Sequence, residues 1–255
     1  MTQTKSKILD LAIHGKLIPQ DPNDEPASVL LERIRAEKEE QIKQGKIKRD
    51  KNESYIFRGD DKSYYEKVGD SVRNIDNEIP FEIPDNWTWA RLGSVGMTNI
   101  GLTYKPTDIN SEGVPVLRSN NIQNGKISLN DLVRVKMHIP ESLIAGNGDI
   151  LICARNGSSS LVGKCAIIDS PGMSFGAFMA IFRSICNPYI YCFLGSDFFR
   201  SIFQREGIST QINQLTQSMI KAQLIPMPPL PEQNRITITL GKMDQSFATI
   251  MESLN

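Results

Sequence analysis

The sequence predicts an α/β (α+β) protein in which a central domain with a mixed short-stranded sheet is flanked by N-terminal helices and a C-terminal coiled-coil-type helix. Two observations predict this class. Apolar residues recur at helical spacing near both ends of the chain, whereas short β-like runs separated by turn residues occupy its middle. The 40% hydrophobic and 23% charged residues are ordinary proportions for a globular protein, so we expect a packed core.

These patterns divide the chain into four segments. Residues 1–45 form a helical segment and residues 46–85 a linker. Residues 86–225 form the central domain, and residues 226–255 form a Pro-rich elbow with the start of a long helix.

Two helices are predicted in the N-terminal segment. The first runs from Thr4 to His14 and stops at Gly15. The second is capped by Asp24 and continues to a stop at Gly45. Oppositely charged side chains four residues apart are expected to pair on its exposed face, namely Arg35 with Glu39 and Glu39 with Lys43.

The predicted linker is rich in charged residues and Asn. Residues 50–85 contain 5 basic and 10 acidic side chains, whereas residues 86–225 contain 12 basic and 8 acidic ones. Because so polar a stretch has little apolar surface to bury, we expect it to be extended and in part disordered. The central domain is modestly basic by comparison.

Five β-like runs define the central domain. They are Val114–Leu117, Asp131–Lys136, Ile150–Ala154, Gly163–Ile168 and Met179–Ser184. Asn124-Gly125 and residues 146–149 are turn signals between these runs. A helix is predicted from Asn187 to Gln204, ending near Gly207, and a shorter one over residues 216–221.

The C-terminal segment combines an elbow with an apolar seam. Prolines between Pro226 and Pro231 predict a rigid elbow. Beyond it, apolar residues alternate in steps of four and three, at Ile236, Leu240, Met243, Phe247, Ile250 and Leu254. This is the spacing of a coiled-coil seam, which needs a partner helix in this chain or outside it.

Several classes of protein lose support. No apolar run approaches the roughly 20 residues of a membrane span, and no secretion signal begins the chain, so we expect a cytoplasmic protein. The spacing of Cys153, Cys165, Cys186 and Cys192 fits neither a zinc site nor a redox pair, which favours buried free thiols.

Catalytic motifs are also missing. The chain has two histidines, neither beside a Ser or Cys motif, and no phosphate-binding P-loop. Asn187-Pro188-Tyr189 lacks the second Pro of the adenine-methyltransferase motif, and no acidic residue followed two positions later by Lys comes after Asp85, as a common nuclease motif requires. We therefore predict no catalytic residue and no metal site in this chain.

Polar side chains that can read duplex DNA follow or flank the β-like runs. They are Lys105, Arg118, Asn120, Asn121, Arg155, Asn156, Ser158, Lys164, Gln211, Asn213 and Gln214. Arg can bridge guanine O6 and N7, and Asn or Gln can bridge adenine N6 and N7. Lys105 and Lys164 suit phosphates better than bases. A turn-stabilising role stays open for Arg118, Arg155 and the Asn residues, as does a solvated one for the Gln residues near 211–214.

The order of these motifs resembles a known family. Leu117 to Gly125, Gly148 to Gly157, Gly163 to Ile168 and the elbow ending in Glu232-Gln233 look like the target recognition domain of Type I restriction-modification specificity subunits. Residues 15–20, 30–38 and 79–89 also resemble that family, so the likeness spans nearly the whole chain.

The resemblance implies a non-catalytic DNA-binding subunit. It implies a recognition domain that enters the major groove and helices that dock methyltransferase and restriction subunits, to which S-adenosylmethionine, ATP and Mg²⁺ would belong. Family members usually carry two recognition domains and read a bipartite site, whereas this chain has one. We expect either a half-subunit, which can pair with its own copy through the C-terminal helix and read a palindromic site, or an N-terminal fragment.

Two other functions remain open at this stage. One is a stand-alone DNA-modifying enzyme, either a nuclease or a methyltransferase. The other is an assembly scaffold that binds no DNA. The aromatic residues Phe175, Phe178, Trp87, Trp89, Phe198 and Phe199 are predicted to lie in the core.

Overall fold

The computed structural model describes residues 2–205 and 214–253. The chain divides into two compact units, one formed by Met1–Val95 with Gln223–Asn255 and the other by Gly96–Ala222. Residues 86–95 and 223–225, which we assigned to the central domain, therefore belong to the first unit. The reason is that strands from these two stretches pair with each other, as described below.

The described residues contain seven α-helices and fourteen strands. In chain order the helices are α1 (Thr2–Ile13), α2 (Ala27–Lys43), α3 (Leu92–Val95), α4 (Asn187–Leu194), α5 (Asp197–Arg205), α6 (Gln217–Ala222) and α7 (Leu230–Ser253). The strands are β1 (Ser54–Arg58), β2 (Tyr64–Val68), β3 (Ser71–Asn74), β4 (Thr88–Arg91), β5 (Met97–Ile100), β6 (Ile109–Leu117), β7 (Ile122–Gln123), β8 (Lys126–Ile127), β9 (Val133–Val135), β10 (Ile150–Cys153), β11 (Cys165–Ile167), β12 (Ser174–Phe175), β13 (Met179–Arg183) and β14 (Leu224–Met227).

The two N-terminal helices form as predicted, but their expected polar contacts do not. Both helices end at glycines in the left-handed region, Gly15 at φ 66° and Gly45 at φ 69°. Asp24 does not cap α2, because its carboxylate bonds Arg235 of α7 instead. Glu39 bonds Arg49 at 2.6 Å, and the Arg35 guanidinium lies over the Tyr55 ring, so tertiary contacts replace the predicted helical pairs.

The prediction of an extended, partly disordered linker is wrong. Strands β1, β2 and β3 form an antiparallel sheet within it. One face of this sheet packs Ile56 and Tyr64 against Ile75, Trp89 and Leu224. A few apolar residues at alternating positions are enough to seat the sheet on a core, although the segment is highly charged overall.

A buried ion pair holds the same sheet in place. Glu66 of β2 receives hydrogen bonds from Arg91 of β4 at 2.9 Å and from Ser54 at 2.7 Å, and it also bonds Arg73. Burial by itself would raise the pKa of the Glu66 carboxyl, but these hydrogen bonds and the Arg91 charge outweigh it and lower the pKa to about 2. Glu66 is therefore a buried carboxylate with its charge compensated.

The predicted Pro-rich elbow begins as a strand. Pro226 lies in β14, which pairs antiparallel with β4 opposite Trp89, and the long helix starts only at Leu230. A proline is tolerated here because a two-stranded sheet leaves one edge of each strand without a ladder partner.

The apolar seam of α7 is partly satisfied within the chain. Ile236 and Leu240 are buried, and α1 contacts α7, with Lys5 Nζ 2.9 Å from Asp244 Oδ2. Met243 and Phe247 are half-buried, whereas Ile250 is 52% exposed, and Leu254 lies outside the described residues. Helix α1 is therefore the predicted partner for the first part of this seam.

The second unit is built on two small sheets. A four-stranded antiparallel sheet has the order β11-β10-β13-β5, and a three-stranded sheet has the order β12-β6-β9. All five predicted β-like runs are present as strands. The Asn124-Gly125 turn also forms, with φ of 52° and 73°, and joins β7 to β8.

The predicted helix from Asn187 to Gln204 is divided into α4 and α5. The Ser196 hydroxyl accepts a hydrogen bond from the Phe199 amide at 3.1 Å and so begins a new helix. Its predicted end near Gly207 lies outside the described residues. No helix in the part of the chain that the structure describes combines the length and apolar character needed to cross a membrane.

Candidate nucleic-acid interface

The turn after β6 contains three of the residues predicted to contact DNA. Leu117, the last residue of β6, is fully buried, and Ser119–Asn121 form a single turn of 3-10 helix. The chain therefore leaves the core at Arg118, at the end of a fixed strand.

Asn121 does not lie at a surface, so its prediction as a base-reading residue is wrong. Its side chain is fully buried. Its Nδ2 donates to the carbonyls of Ser128 at 3.0 Å and Asn130 at 2.9 Å, and its Oδ1 accepts from the Arg118 amide at 2.9 Å. Because these bonds engage both donors and the acceptor internally, Asn121 ties the turn to the following loop.

Arg118 and Asn120 converge on one carboxylate. Arg118 Nη2 lies 3.0 Å from Asp131 Oδ2, and Asn120 Nδ2 lies 3.0 Å from the same oxygen. Asp131 has φ 52°, a conformation that Asp tolerates better than most residues. Asp131 was predicted only as the first residue of a β-like run, although the Asn130-Asp131 pair before β9 is a turn signal.

The loop after β10 presents Arg155 beside an exposed aromatic ring. The Arg155 guanidinium carbon lies 5.2 Å from the centre of the Phe178 ring, and the Arg155 amide donates to the Phe178 carbonyl at 2.9 Å. Phe178 is 57% exposed, so its prediction as a core residue is wrong. It follows Gly176 and Ala177 just before β13, and the loop turns the ring outward while Phe175 stays buried.

Asn156 joins the two loops. Its Nδ2 donates to the Ser119 hydroxyl at 3.2 Å, and its Oδ1 accepts from the Ser158 amide at 3.0 Å. The turn after β6 and the loop after β10 come from different sheets, and this contact brings them together. We name Arg118–Asn120 with Arg155–Ser158 the recognition surface.

Other predicted residues flank this surface. The Lys164 carbonyl accepts from the Cys153 amide at 2.8 Å, which places Lys164 beside the strand that leads to Arg155. Gln214 is exposed and pairs with Arg155 through the backbone. Lys105 is exposed on a turn before β6, where its amide donates to Asp108 at 2.7 Å. Gln211 and Asn213 lie outside the described residues.

Charged and thiol groups elsewhere in the unit have internal roles. Arg183 bonds the buried carboxylate of Asp149 at 2.6 Å, and this hydrogen bond raises the Arg183 pKa. All four cysteines are thiols rather than disulfides; Cys153, Cys165 and Cys186 are buried as predicted, whereas Cys192 is partly exposed. Burial raises the pKa of Cys165 to about 12, so it stays a neutral thiol. Within residues 2–205 and 214–253, no three His, Cys, Asp or Glu side chains are grouped to hold a metal ion.

Sequence comparison decides the family. The family model described as the Type I restriction modification DNA specificity domain matches residues 84–255. The chain belongs to this family. The match starts just before β4 and includes all of the second unit, so the recognition surface lies on the specificity domain.

Similar proteins are described as specificity subunits of Type I restriction enzymes. The chain is 33% identical to the EcoAI specificity subunit of Escherichia coli over 258 residues, covering 96% of this chain and 39% of that protein. It is 33% identical to the EcoKI specificity subunit of E. coli strain K12 over 178 residues, covering 66% and 38%. The chain thus spans about 40% of the length of these relatives.

Solved structures support the fold. The crystal structure of the HsdS subunit from Thermoanaerobacter tengcongensis matches with a TM-score of 0.54 at 21% identity, covering 69% of this chain and 42% of that one. A structure of a type I R-M system matches with a TM-score of 0.54 at 23% identity. The predicted mixed fold, with flanking helices and a long C-terminal helix, is confirmed.

Proposed function

We propose that this chain reads DNA sequence for a Type I restriction-modification complex and has no catalytic site of its own. In this proposal the methyltransferase and restriction subunits are partners that bind S-adenosylmethionine, ATP and Mg²⁺, and the complex acts on double-stranded DNA in the cytoplasm. The observation that carries the proposal is the Asn156–Ser119 contact, because it joins the loop that carries Arg155 to the turn that carries Arg118.

Several side chains on and beside the recognition surface have a proposed role. Arg155 reads a guanine edge, with Phe178 holding its guanidinium plane in position. Asn120 reads a base or a phosphate after release from Asp131, while Ser158, Lys164 and Lys105 contact phosphates. A bipartite target needs a second recognition domain, and a second copy paired through α7 would supply it with two-fold symmetry.

The test is DNA selection and binding by the purified chain. We expect a random duplex library to yield a defined sequence, and Arg155→Ala to weaken binding to it by about 5–100-fold with an unchanged melting temperature. Arg200→Ala is the matched control, since it removes one exposed Arg of the same unit outside the recognition surface. Arg200→Ala should weaken DNA binding only slightly, and by the same factor for every DNA sequence.

Three results would contradict the proposal. Arg155→Ala and Arg200→Ala could have equal effects on the selected and on unrelated sequences. The chain could fail to bind any duplex at low salt, which would favour a scaffold. Finally, the chain alone could methylate DNA with S-adenosylmethionine or cleave it with Mg²⁺, which would favour an enzyme.

A further inference from the structure

A carboxylate lies beside the recognition surface, where a DNA-binding protein gains nothing from negative charge alone. Asp131 precedes β9, and 78% of its side chain is exposed. Its Oδ2 accepts hydrogen bonds from Arg118 Nη2 and Asn120 Nδ2, both at 3.0 Å. Because DNA phosphates are also anionic, an exposed carboxylate at this position opposes their approach.

The fold keeps this carboxylate in a defined place. Arg118 Nη2 also donates to the Asp131 carbonyl at 2.9 Å, and the buried Asn121 donates to the carbonyl of Asn130 at 2.9 Å. The backbone is therefore bonded on both sides of the Asp131 Cα, and the side chain is bonded at Oδ2. The negative charge is fixed next to Arg118 and Asn120 rather than spread over many surface rotamers.

The carboxylate compensates the charge of Arg118. An unpaired Arg on this surface would attract every phosphate, and a phosphate contact carries no information about the DNA sequence. The Arg118–Asp131 pair has no net charge. A phosphate that bonds Arg118 or Asn120 in place of Asp131 also comes close to the Asp131 carboxylate, and two like charges at such a distance repel each other.

Base edges do not meet this obstacle, because they carry no net charge. Guanine O6 and N7 and adenine N7 can accept hydrogen bonds from Arg118 or Asn120 without repelling the carboxylate. The amino groups of adenine and cytosine are donors and are attracted to it. Arg118 and Asn120 both use Oδ2, which leaves Oδ1 as an acceptor for such an amino group.

We propose that Asp131 determines specificity by excluding phosphates from Arg118 and Asn120, so that these two side chains bond DNA only through base edges. This inference rests on the proposed function, and of the two contacts proposed there for Asn120 it selects the base. Asp131 acts by repelling the wrong contact, which separates two ligands as effectively as attracting the right one.

The test compares the affinities of the purified full chain for its selected duplex and for an unrelated duplex. Asp131→Asn removes the charge but keeps an acceptor oxygen, and Asn tolerates the φ of 52° at this position. We expect the variant to bind the unrelated duplex about fivefold more tightly at low salt and the selected duplex with little change. The ratio of the two affinities should therefore fall by about fivefold.

The salt dependence gives a readout that a purely structural role would not change. When Arg118 gains a phosphate contact, the slope of log affinity against log salt concentration for the unrelated duplex should steepen by about 0.9. Asp131→Gly is a second variant that fits the same φ and removes the whole carboxylate, and it should change the ratio and the slope in the same direction.

Asp169→Asn is the matched control. Asp169 is an exposed residue of the same unit that follows β11 at the end where Ile167 pairs with Ile150, whereas Arg155 follows the opposite end of β10. Removing this charge should change the affinities for both duplexes by the same small factor, which leaves their ratio unchanged.

The two proposals fail in different ways. A wild-type chain that selects no sequence would overturn the proposed function and this inference together. A wild type that selects a site, with Asp131 variants whose affinity ratio and salt slope equal those of Asp169→Asn, would overturn this inference alone. Weaker binding of the selected duplex with unchanged binding of the unrelated one would make Asp131 a base-reading residue, and it would overturn the exclusion of phosphates.

Discussion

Asn120 and Asn121 are adjacent residues with the same side chain and opposite surroundings. Asn120 is exposed and donates only to the exposed Asp131 carboxylate, whereas Asn121 is fully buried with its amide group fully bonded. At the scale of single residues, one Asn lies at the surface, where the proposed function has it contact DNA, and the other maintains the loop that supports it.

Substitution of these two residues should separate the roles. Asn121→Ala leaves two carbonyls and the Arg118 amide without their buried partner, so we expect the free energy of unfolding to fall by about 3 kcal/mol. Asn120→Ala, the matched control, should change it by less than about 0.5 kcal/mol. Urea unfolding followed by circular dichroism measures both, and equal losses would contradict the assignment.

At the scale of elements, the Glu66–Arg91 ion pair connects the β1–β3 sheet to β4. Glu66 is almost fully buried, and its pKa of about 2 lies below the ordinary value of 4.5. The folded state therefore favours the ionised carboxylate. The stability that this pair contributes is fully present above about pH 4.5 and is lost as the pH falls towards 2.

This linkage predicts that the difference in free energy of unfolding between the wild type and a Glu66 variant depends on pH. Glu66→Gln should lower the free energy of unfolding by about 3 kcal/mol at pH 6, and the difference should shrink as the pH falls below 4.5. Glu37→Gln reports the effect of removing one exposed carboxylate. A wild-type-to-variant difference that stays constant from pH 6 to pH 3 would show that Glu66 is not the linked group.

At the scale of the whole molecule, charge is unevenly distributed along a chain whose formal net charge is zero. Residues 50–85 carry an excess of acidic side chains and residues 86–225 an excess of basic ones. The proposed function uses this division, with the basic part of the sequence contacting DNA.

The division predicts which lysines affect the salt dependence of DNA binding. Lys164→Ala should reduce the slope of log affinity against log salt concentration by about 0.9, because a phosphate contact releases counterions. It should also weaken binding to all DNA sequences by the same factor. Lys62→Ala, in the acidic part of the chain, should leave the slope unchanged. Fluorescence anisotropy at several salt concentrations measures both, and an equal change for the two variants would refute the division.

Local patterns were sufficient to predict five strands of the second unit (β6, β9, β10, β11 and β13), the Asn124-Gly125 turn and the N- and C-terminal helices. Alternation, turn residues and helical spacing act over a few neighbouring residues, so they can be recognised in the chain. The family was recognisable for the same reason, since its motifs are short and occur in order. The prediction of a linker failed because the many charged residues outnumber the few apolar positions that pack β1–β3 on the core.

Contacts between residues that are far apart in the sequence could be found only in the folded structure. Nothing near Asn156 indicates that it will meet Ser119, or that Asn121 is buried while Asn120 is exposed. The Glu66–Arg91 pair is likewise made by residues from separate strands. The partners of these side chains are determined only when the strands pair and pack. Burial and hydrogen bonding depend on neighbours in three dimensions rather than on neighbours along the backbone.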